Sequence, residues 1–248
     1  MSSSSNTEFD VSVIMPVYNE ITTIESAVSS VLELTKIYSL QLIIVDGCST
    51  DGTKELLQKM KSHIDFEIIF DTAPHGKGLA VRKGLQIASG KIISIIDADA
   101  EYKIKDLIEI IKFMRLNKLR FVLGNRHIKG KKIRTFTNQK MTTDYYNLGH
   151  KIFTSYFNLL FNTRLKDPAT MWKVFHKSDI DDYRFIGRRF EFDWELLALL
   201  IRRGHIPQEI DIEYISRSHA DGKKIKAFRD PFSWVFLIVY FRFKKISV

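Results

Sequence analysis

Lys91-Ile92-Ile93-Ser94-Ile95-Ile96-Asp97-Ala98-Asp99-Ala100-Glu101 decides how this chain is read. Its first six residues are short, β-branched and nearly all apolar, the pattern of a strand buried on both faces. The run stops at two aspartates one residue apart. Open α/β sheets bind ligands at the carboxyl edge of their strands, so two hard oxygen donors stand where a ligand would sit. Carboxylates crowded there repel one another unless a cation such as Mg²⁺ or Mn²⁺ lies between them, usually with substrate phosphates. Asp is also a favoured turn and N-cap residue. Alone, the pair leaves a structural turn and a metal site both open.

On either side of this stretch, strand-like and helix-like segments alternate. Val11 to Tyr18, Gln41 to Val45, Phe66 to Phe70 and Arg120 to Leu123 read as further strands. Ile21 to Lys36, a segment ending near Lys61, Leu79 to Ser89 and Ile104 to Leu116 carry helical spacing. Such alternation predicts βαβ units, a largely parallel sheet and right-handed crossovers that gather the strand ends along one edge. From His127 the rhythm changes. A basic loop runs from His127 to Lys140, and a long amphipathic helix from Met141 to Phe161 carries Tyr145, Leu148, Ile152, Tyr156 and Leu159 on one stripe. Met171 to Phe175 reads as a strand, Asp193 to Arg203 as a helix, and Glu209 to Tyr214 as another strand. With no repeat and no linker, one α/β domain over 11–229 is expected, between a polar tail (1–10) and a C-terminal amphipathic helix (230–248).

The 248 residues are 45% hydrophobic and 27% charged, enough for a core and unlike a disordered chain. The net charge of +9 points to an anionic partner: nucleic acid, nucleotide phosphates or an acidic membrane. No nucleic-acid reader motif appears, and the acidic strand ends argue against that class. The single cysteine, Cys48, rules out an intrachain disulfide and fits a reducing compartment. There is no apolar signal segment near Met1 and no run of the ~20 apolar residues a membrane span needs. A cytoplasmic chain, peripheral at the cytoplasmic face of a membrane, is the expectation.

Four strand-end loops carry compatible chemistry. In Pro16-Val17-Tyr18-Asn19-Glu20, Tyr18 can stack on a base and Glu20 can accept from a ribose or base; a proline-ended strand capped by Asn19 is the plainer account. Asp46 sits at a strand end as Asp97 does, whereas Asp51-Gly52 suits a turn. Gly76-Lys77-Gly78 stands before a helix, where glycines let backbone amides approach an anion and Lys77 adds charge. Gly124-Asn125-Arg126 offers a cation to a phosphate, or simply a solvated charge.

In order and spacing, Val13 to Glu20, Val45 to Thr53, Gly76-Lys77-Gly78 and Asp97 to Tyr102 resemble the family 2 glycosyltransferases of GT-A fold. Gly124-Asn125-Arg126, Asp167-Pro168-Ala169-Thr170, Phe190 to Glu195 and Arg217 to Lys224 resemble the branch of dolichyl- or polyprenyl-phosphate mannosyl- and glucosyltransferases. The resemblance implies a Rossmann-like, mostly parallel sheet flanked by helices, with 11–126 binding a nucleotide-sugar donor and 127–229 an acceptor. It implies donor contacts from Pro16, Tyr18, Glu20, Asp46, Lys77 and Asp97. Asp97, Asp99 and Glu101 would hold Mg²⁺ or Mn²⁺ on the diphosphate, with Asp99 catalytic. Two departures stand out: Asp46-Gly47-Cys48-Ser49 lacks a second acid, and Met171-Trp172 replaces a usual Thr-Gly pair.

The implied reaction is a single inverting displacement at the anomeric carbon. A lipid-phosphate acceptor is already anionic and needs cations, for which Arg126, Arg134 and Lys140 are candidates. A saccharide hydroxyl needs a base, and Asp193 is the candidate, with Glu191 and Glu195 as rivals. The aromatic run Trp234 to Phe241, flanked by cations, suits a helix lying in a membrane interface; packing on the core or in a homodimer is the alternative. A nucleotidyltransferase and a non-catalytic sugar-nucleotide-binding protein are the rival classes.

Overall fold

The computed structural model describes residues 9–127, 133, 140–215 and 229–245. The strands are β1 (Val11–Val17), β2 (Leu40–Asp46), β3 (Glu67–Phe70), β4 (Ile92–Ile95), β5 (Phe121–Asn125), β6 (Lys173–His176) and β7 (Gln208–Asp211). The helices are α1 (Ile24–Leu32), α2 (Thr53–Lys61), α3 (Lys77–Ile87), α4 (Ile104–Leu116), α5 (Lys140–Phe161), α6 (Glu191–Arg202) and α7 (Arg229–Phe243).

All seven strands join one sheet in the order β3-β2-β1-β4-β6-β5-β7. The pairs β1–β2, β2–β3, β1–β4 and β5–β7 are parallel, as the alternating pattern requires. β6 runs antiparallel between β4 and β5, splitting two strands that are consecutive in the chain. That insertion is the one departure from the expected parallel order, and it brings residues 167–173 to the middle of the sheet's ligand edge.

Two apolar layers cover the sheet. Val28 of α1, Leu57 of α2 and Ile110 of α4 pack on one face. Val81 of α3, Phe157 of α5, Leu196 of α6 and Ile238 of α7 pack on the other. From Leu196 to Ile201 α6 is apolar on every side because α7 covers the face that the sheet does not, and a helix enclosed in this way carries no polar stripe there. The C-terminal helix therefore does pack on the domain. Burying its Ile238 and Phe241 contributes about 1.5–3 kcal/mol each, and Arg242 donates to the Leu160 carbonyl at 2.8 Å. Its other side stays outside: Phe236 is 75% and Phe243 72% exposed. Among the described residues no helix is long and apolar enough to cross a membrane.

Several boundaries move. α3 begins at Lys77 and α6 at Glu191, each two residues earlier than the apolar spacing suggests. β7 stops at Asp211, and Tyr214 makes only an isolated bridge to Tyr102. In α5 the stripe of Tyr145, Leu148, Ile152 and Leu159 faces outward, and it is Tyr146, Phe157 and Phe161 that are buried.

Candidate active site

The strand ends open on a cavity of about 660 Å³. Its polar half is lined by Pro16, Tyr18, Glu20, Lys77, Asp97, Asp99 and Asp193. Its apolar half is lined by Tyr145, Leu148, Ile152, Phe153, Trp194 and Trp234, from α5, α6 and α7. Arg126, His150 and Tyr214 also line the wall.

Lys77 is the hub of the polar half. Its Nζ donates to Asp97 Oδ2 at 3.1 Å and to Met171 Sδ at 3.4 Å, and lies 3.7 Å from Asp193 Oδ2. Burial opposes the ammonium, but the charges of Asp193 and Asp97 outweigh it and hold Lys77 above the ordinary lysine value. Asp97 is shifted upward, chiefly by burial and against the pull of Lys77. Lys77 is thus a permanent cation at the first turn of α3, suited to an anionic ligand.

The glycines beside it answer to a packing need. A Cβ at Gly78 would stand 2.6 Å from the Arg189 carbonyl oxygen, and one at Gly76 2.8 Å from Arg189 Cγ. The amide of Leu79 donates to the Arg188 carbonyl at 2.9 Å. The glycines therefore admit the 186–189 segment, and Gly76 also lines the cavity. That segment is held in turn by α6: Glu191 Oε1 accepts from the amides of Arg188 and Arg189, and Glu195 Oε2 from those of Ile186 and Gly187. Both glutamates are engaged as loop anchors, and neither lines the cavity as Asp193 does.

Asp97 and Asp99 face the cavity together, and Glu101 lines the same wall. Its Oε2 accepts from the Tyr214 hydroxyl at 2.7 Å, and its amide donates to Asp99 Oδ1 at 3.1 Å. Among the described residues no three His, Cys, Asp or Glu side chains are grouped to hold a metal. Two hard oxygens at a cavity wall fit Mg²⁺ or Mn²⁺ only where a ligand's phosphates and water complete the sphere. Asp46 is the last residue of β2, at a strand end as the sequence suggests. It is fully buried behind Gly47, and its Oδ2 accepts from the Ser49 amide at 3.1 Å while Oδ1 accepts no hydrogen bond.

At the junction of the two halves, Arg126 is committed to Asp167. Its Nε and Nη2 donate to the two carboxylate oxygens at 2.7 and 2.8 Å, and its amide adds a third bond at 3.0 Å. The guanidinium also lies over the Tyr214 ring, 5.1 Å from its centroid. His150 Nε2 stands 3.7 Å from Asp167 and 3.0 Å from His127 Nε2. Arg134 and the Lys140 side chain lie outside the described residues. Tyr214, His150 and Lys173 were not singled out from sequence. Lys173 alone left a signal there, a lysine inside the apolar run Met171 to Phe175.

The glycosyl transferase family 2 model matches residues 12–196, three quarters of the chain. The chain belongs to the family 2 glycosyltransferases. A dolichol-phosphate mannosyltransferase of Pyrococcus furiosus is 33% identical over 126 residues, which are 50% of this chain and 35% of that protein. A dolichyl-phosphate β-glucosyltransferase of Trichomonas vaginalis is 29% identical over 239 residues, 87% of this chain and 68% of that one. The match thus spans about a third of the first relative and two thirds of the second. Glucosyl-3-phosphoglycerate synthase of Mycobacterium tuberculosis, solved with Mn²⁺, UDP and phosphoglyceric acid, superposes with a TM-score of 0.69 at 17% identity, covering 96% of this chain and 80% of that one. The expected GT-A fold is confirmed.

Proposed function

We propose that this glycosyltransferase moves a hexose from a UDP- or GDP-sugar to a polyprenyl or dolichyl phosphate, with inversion at the anomeric carbon. The observation that carries the reading is the divided cavity. Its charged half suits a nucleoside diphosphate, and its apolar half runs out along α5, where Leu148 and Ile152 line the cavity yet are 59% and 58% exposed. An acceptor with an anionic head and a long apolar chain matches that division; a free saccharide does not need it. The names of the Pyrococcus and Trichomonas relatives support the same class.

In this mechanism Tyr18 and Glu20 hold the nucleoside, Lys77 the diphosphate, and Arg126 the acceptor phosphate. A phosphate oxygen attacks the anomeric carbon as the bond to the β-phosphate breaks, and the nucleoside diphosphate leaves with the electron pair. The nucleophile is already ionised, so no side chain has to remove a proton. Asp97 and Asp99 would hold a divalent ion, which when bound neutralises the departing diphosphate. The M. tuberculosis neighbour, solved with Mn²⁺ and UDP, supports this requirement.

Transfer to a saccharide hydroxyl with Asp193 as base is the competing reading, since Asp193 lines the cavity. Two ammonium groups stand within 4 Å of it, Lys77 at 3.7 and Lys173 at 3.9 Å, so its carboxylate is already engaged by cations of the protein. The exposed aromatics of α7, beside Arg242, Lys244 and Lys245, support contact with an anionic membrane interface, where the acceptor lipid resides.

The test is a panel of labelled UDP- and GDP-sugars with Mg²⁺ or Mn²⁺, with and without polyprenyl phosphate, followed by organic extraction. Label is expected in the organic phase only when the lipid phosphate is present. Label confined to an aqueous saccharide would overturn the acceptor assignment and favour Asp193 as base. Release of pyrophosphate in place of a nucleoside diphosphate would indicate nucleotidyl transfer.

A further inference from the structure

β6 and the residues before it alternate between the two cores: Trp172 and Val174 face one, Met171 and Phe175 the other. Lys173 pairs with Leu123 of β5 and is fully buried. Lys173 opens β6, yet a fully buried position asks for an apolar side chain, and a buried ammonium is costly unless something uses it. Burial pulls Lys173 down to about 8, with Asp193 opposing the fall. The ammonium donates to the Thr170 carbonyl and stands 3.9 Å from Asp193 Oδ1, a buried oxygen that accepts no hydrogen bond.

The four charges alternate in sign: Asp97, Lys77, Asp193, Lys173. The first three line the cavity and Lys173 does not. The geometry points to Lys173 as a positioning residue that, from behind the cavity wall, neutralises and holds Asp193 and so leaves Lys77 available to the donor's diphosphate. Without it, two carboxylates compete for the single ammonium of Lys77 and draw it away from an incoming anion. With it, each carboxylate has its own cation. The inference rests on the donor reading above, and no contact between Lys173 and substrate is invoked.

The test is a double-mutant cycle on UDP and GDP affinity, measured by calorimetry with Mn²⁺ present, using Lys173→Met, Asp193→Asn and the double variant. Met matches the length of lysine and suits the apolar layer, and thermal melting establishes that each variant is folded. Should the Met variant not fold, Lys173→Gln takes its place, because it is uncharged but keeps a donor for the Thr170 carbonyl. Lys173→Met is expected to weaken nucleotide binding by about tenfold, within the range for directly coupled neighbours. On the Asp193→Asn background the same change should cost less than about twofold, since no carboxylate remains to be neutralised. A packing role would instead carry its full penalty into both backgrounds. Wild-type affinity in the uncharged Lys173 variants, or equal penalties in both backgrounds, would overturn the inference while leaving the donor reading intact. A wild-type protein that binds neither UDP nor GDP would overturn the donor reading first, and the inference with it.

Discussion

Asp167→Asn is the sharpest structural test of the site. Asp167 is fully buried and receives three hydrogen bonds from Arg126, at 2.7, 2.8 and 3.0 Å. The substitution keeps the shape but removes the charge, leaving the guanidinium in the interior without its counter-ion. Breaking a buried pair from one side costs about 3–5 kcal/mol, whereas replacing both partners with apolar groups is often neutral. At about 2–4 °C per kcal/mol for a domain of this size, the melting temperature should fall by about 6–20 °C. Arg126→Met combined with Asp167→Leu should recover most of that loss. The pH dependence has a definite sign. Burial raises the Asp167 carboxyl, but the charge and hydrogen bonds of Arg126 outweigh it and hold the group well below the usual carboxylate range. A depressed folded value means the stabilisation is complete above the unfolded value of about 3.9 and is lost as pH falls below it. The gap between wild type and Asp167→Asn should be flat from neutrality to about pH 5 and close below about pH 4. Calorimetric melts across that range decide the matter. A variant melting within about 3 °C of wild type at pH 7, or a double variant no better than the single, would refute the reasoning.

Asp99→Ala and Glu101→Gln should separate the acidic loop into two roles. The first should cut nucleoside diphosphate release by about 100-fold or more, the second by less than about tenfold, because Glu101 is tied to Tyr214; equal losses in steady-state rates would make Glu101 a metal ligand as well. Gly78→Ala places a Cβ 2.6 Å from the Arg189 carbonyl oxygen. Overpacking of that kind costs about 1–3 kcal/mol, and the displaced 186–189 segment should raise the donor KM more than it lowers kcat. Phe236→Ser with Phe243→Ser should move the melting temperature by only about 2 °C, as surface changes do. The same pair should abolish co-sedimentation with phosphatidylglycerol vesicles, and unchanged sedimentation would remove the membrane contact.

The βαβ half was legible because each of its strands is an apolar run ended by turn chemistry, which local pattern alone specifies. The order of β4, β6 and β5 was not. Met171 to Phe175 reads as a strand wherever it pairs, and nothing local says that it enters between two earlier ones. The strand-end residues Tyr18, Glu20, Lys77, Asp97 and Asp99 were legible for the same reason as the strands, and all of them line the cavity. The hydrogen bond from Tyr214 to Glu101 was not legible, because a short acidic cluster does not reveal a partner more than a hundred residues later. The packing of Gly76 and Gly78 against the 186–189 segment was not legible either, because that segment is equally remote. The outward turn of the α5 stripe was hidden by that helix's two apolar faces, of which composition cannot choose the buried one.

In the proposed mechanism, the antiparallel entry of β6 also lets one cavity serve two chemically unlike ligands. Were β5 paired directly with β4, the Gly124-Asn125-Arg126 turn would stand beside the Asp97 loop, and the acceptor cation would share ground with the donor's diphosphate. Inserting β6 holds those turns apart and fills the gap with the segment from Asp167 to Lys173. One end of that segment neutralises Arg126 and the other lies against Asp193. Each side of the gap is thereby balanced locally, so that in the proposed mechanism the diphosphate would meet Lys77 and the acceptor phosphate Arg126 without either cation being drawn to the other's counter-ion. Short-range pairing of this kind survives in a part-buried cavity where longer-range attraction is screened. On the proposed reading, the antiparallel strand is thus a charge partition between donor and acceptor.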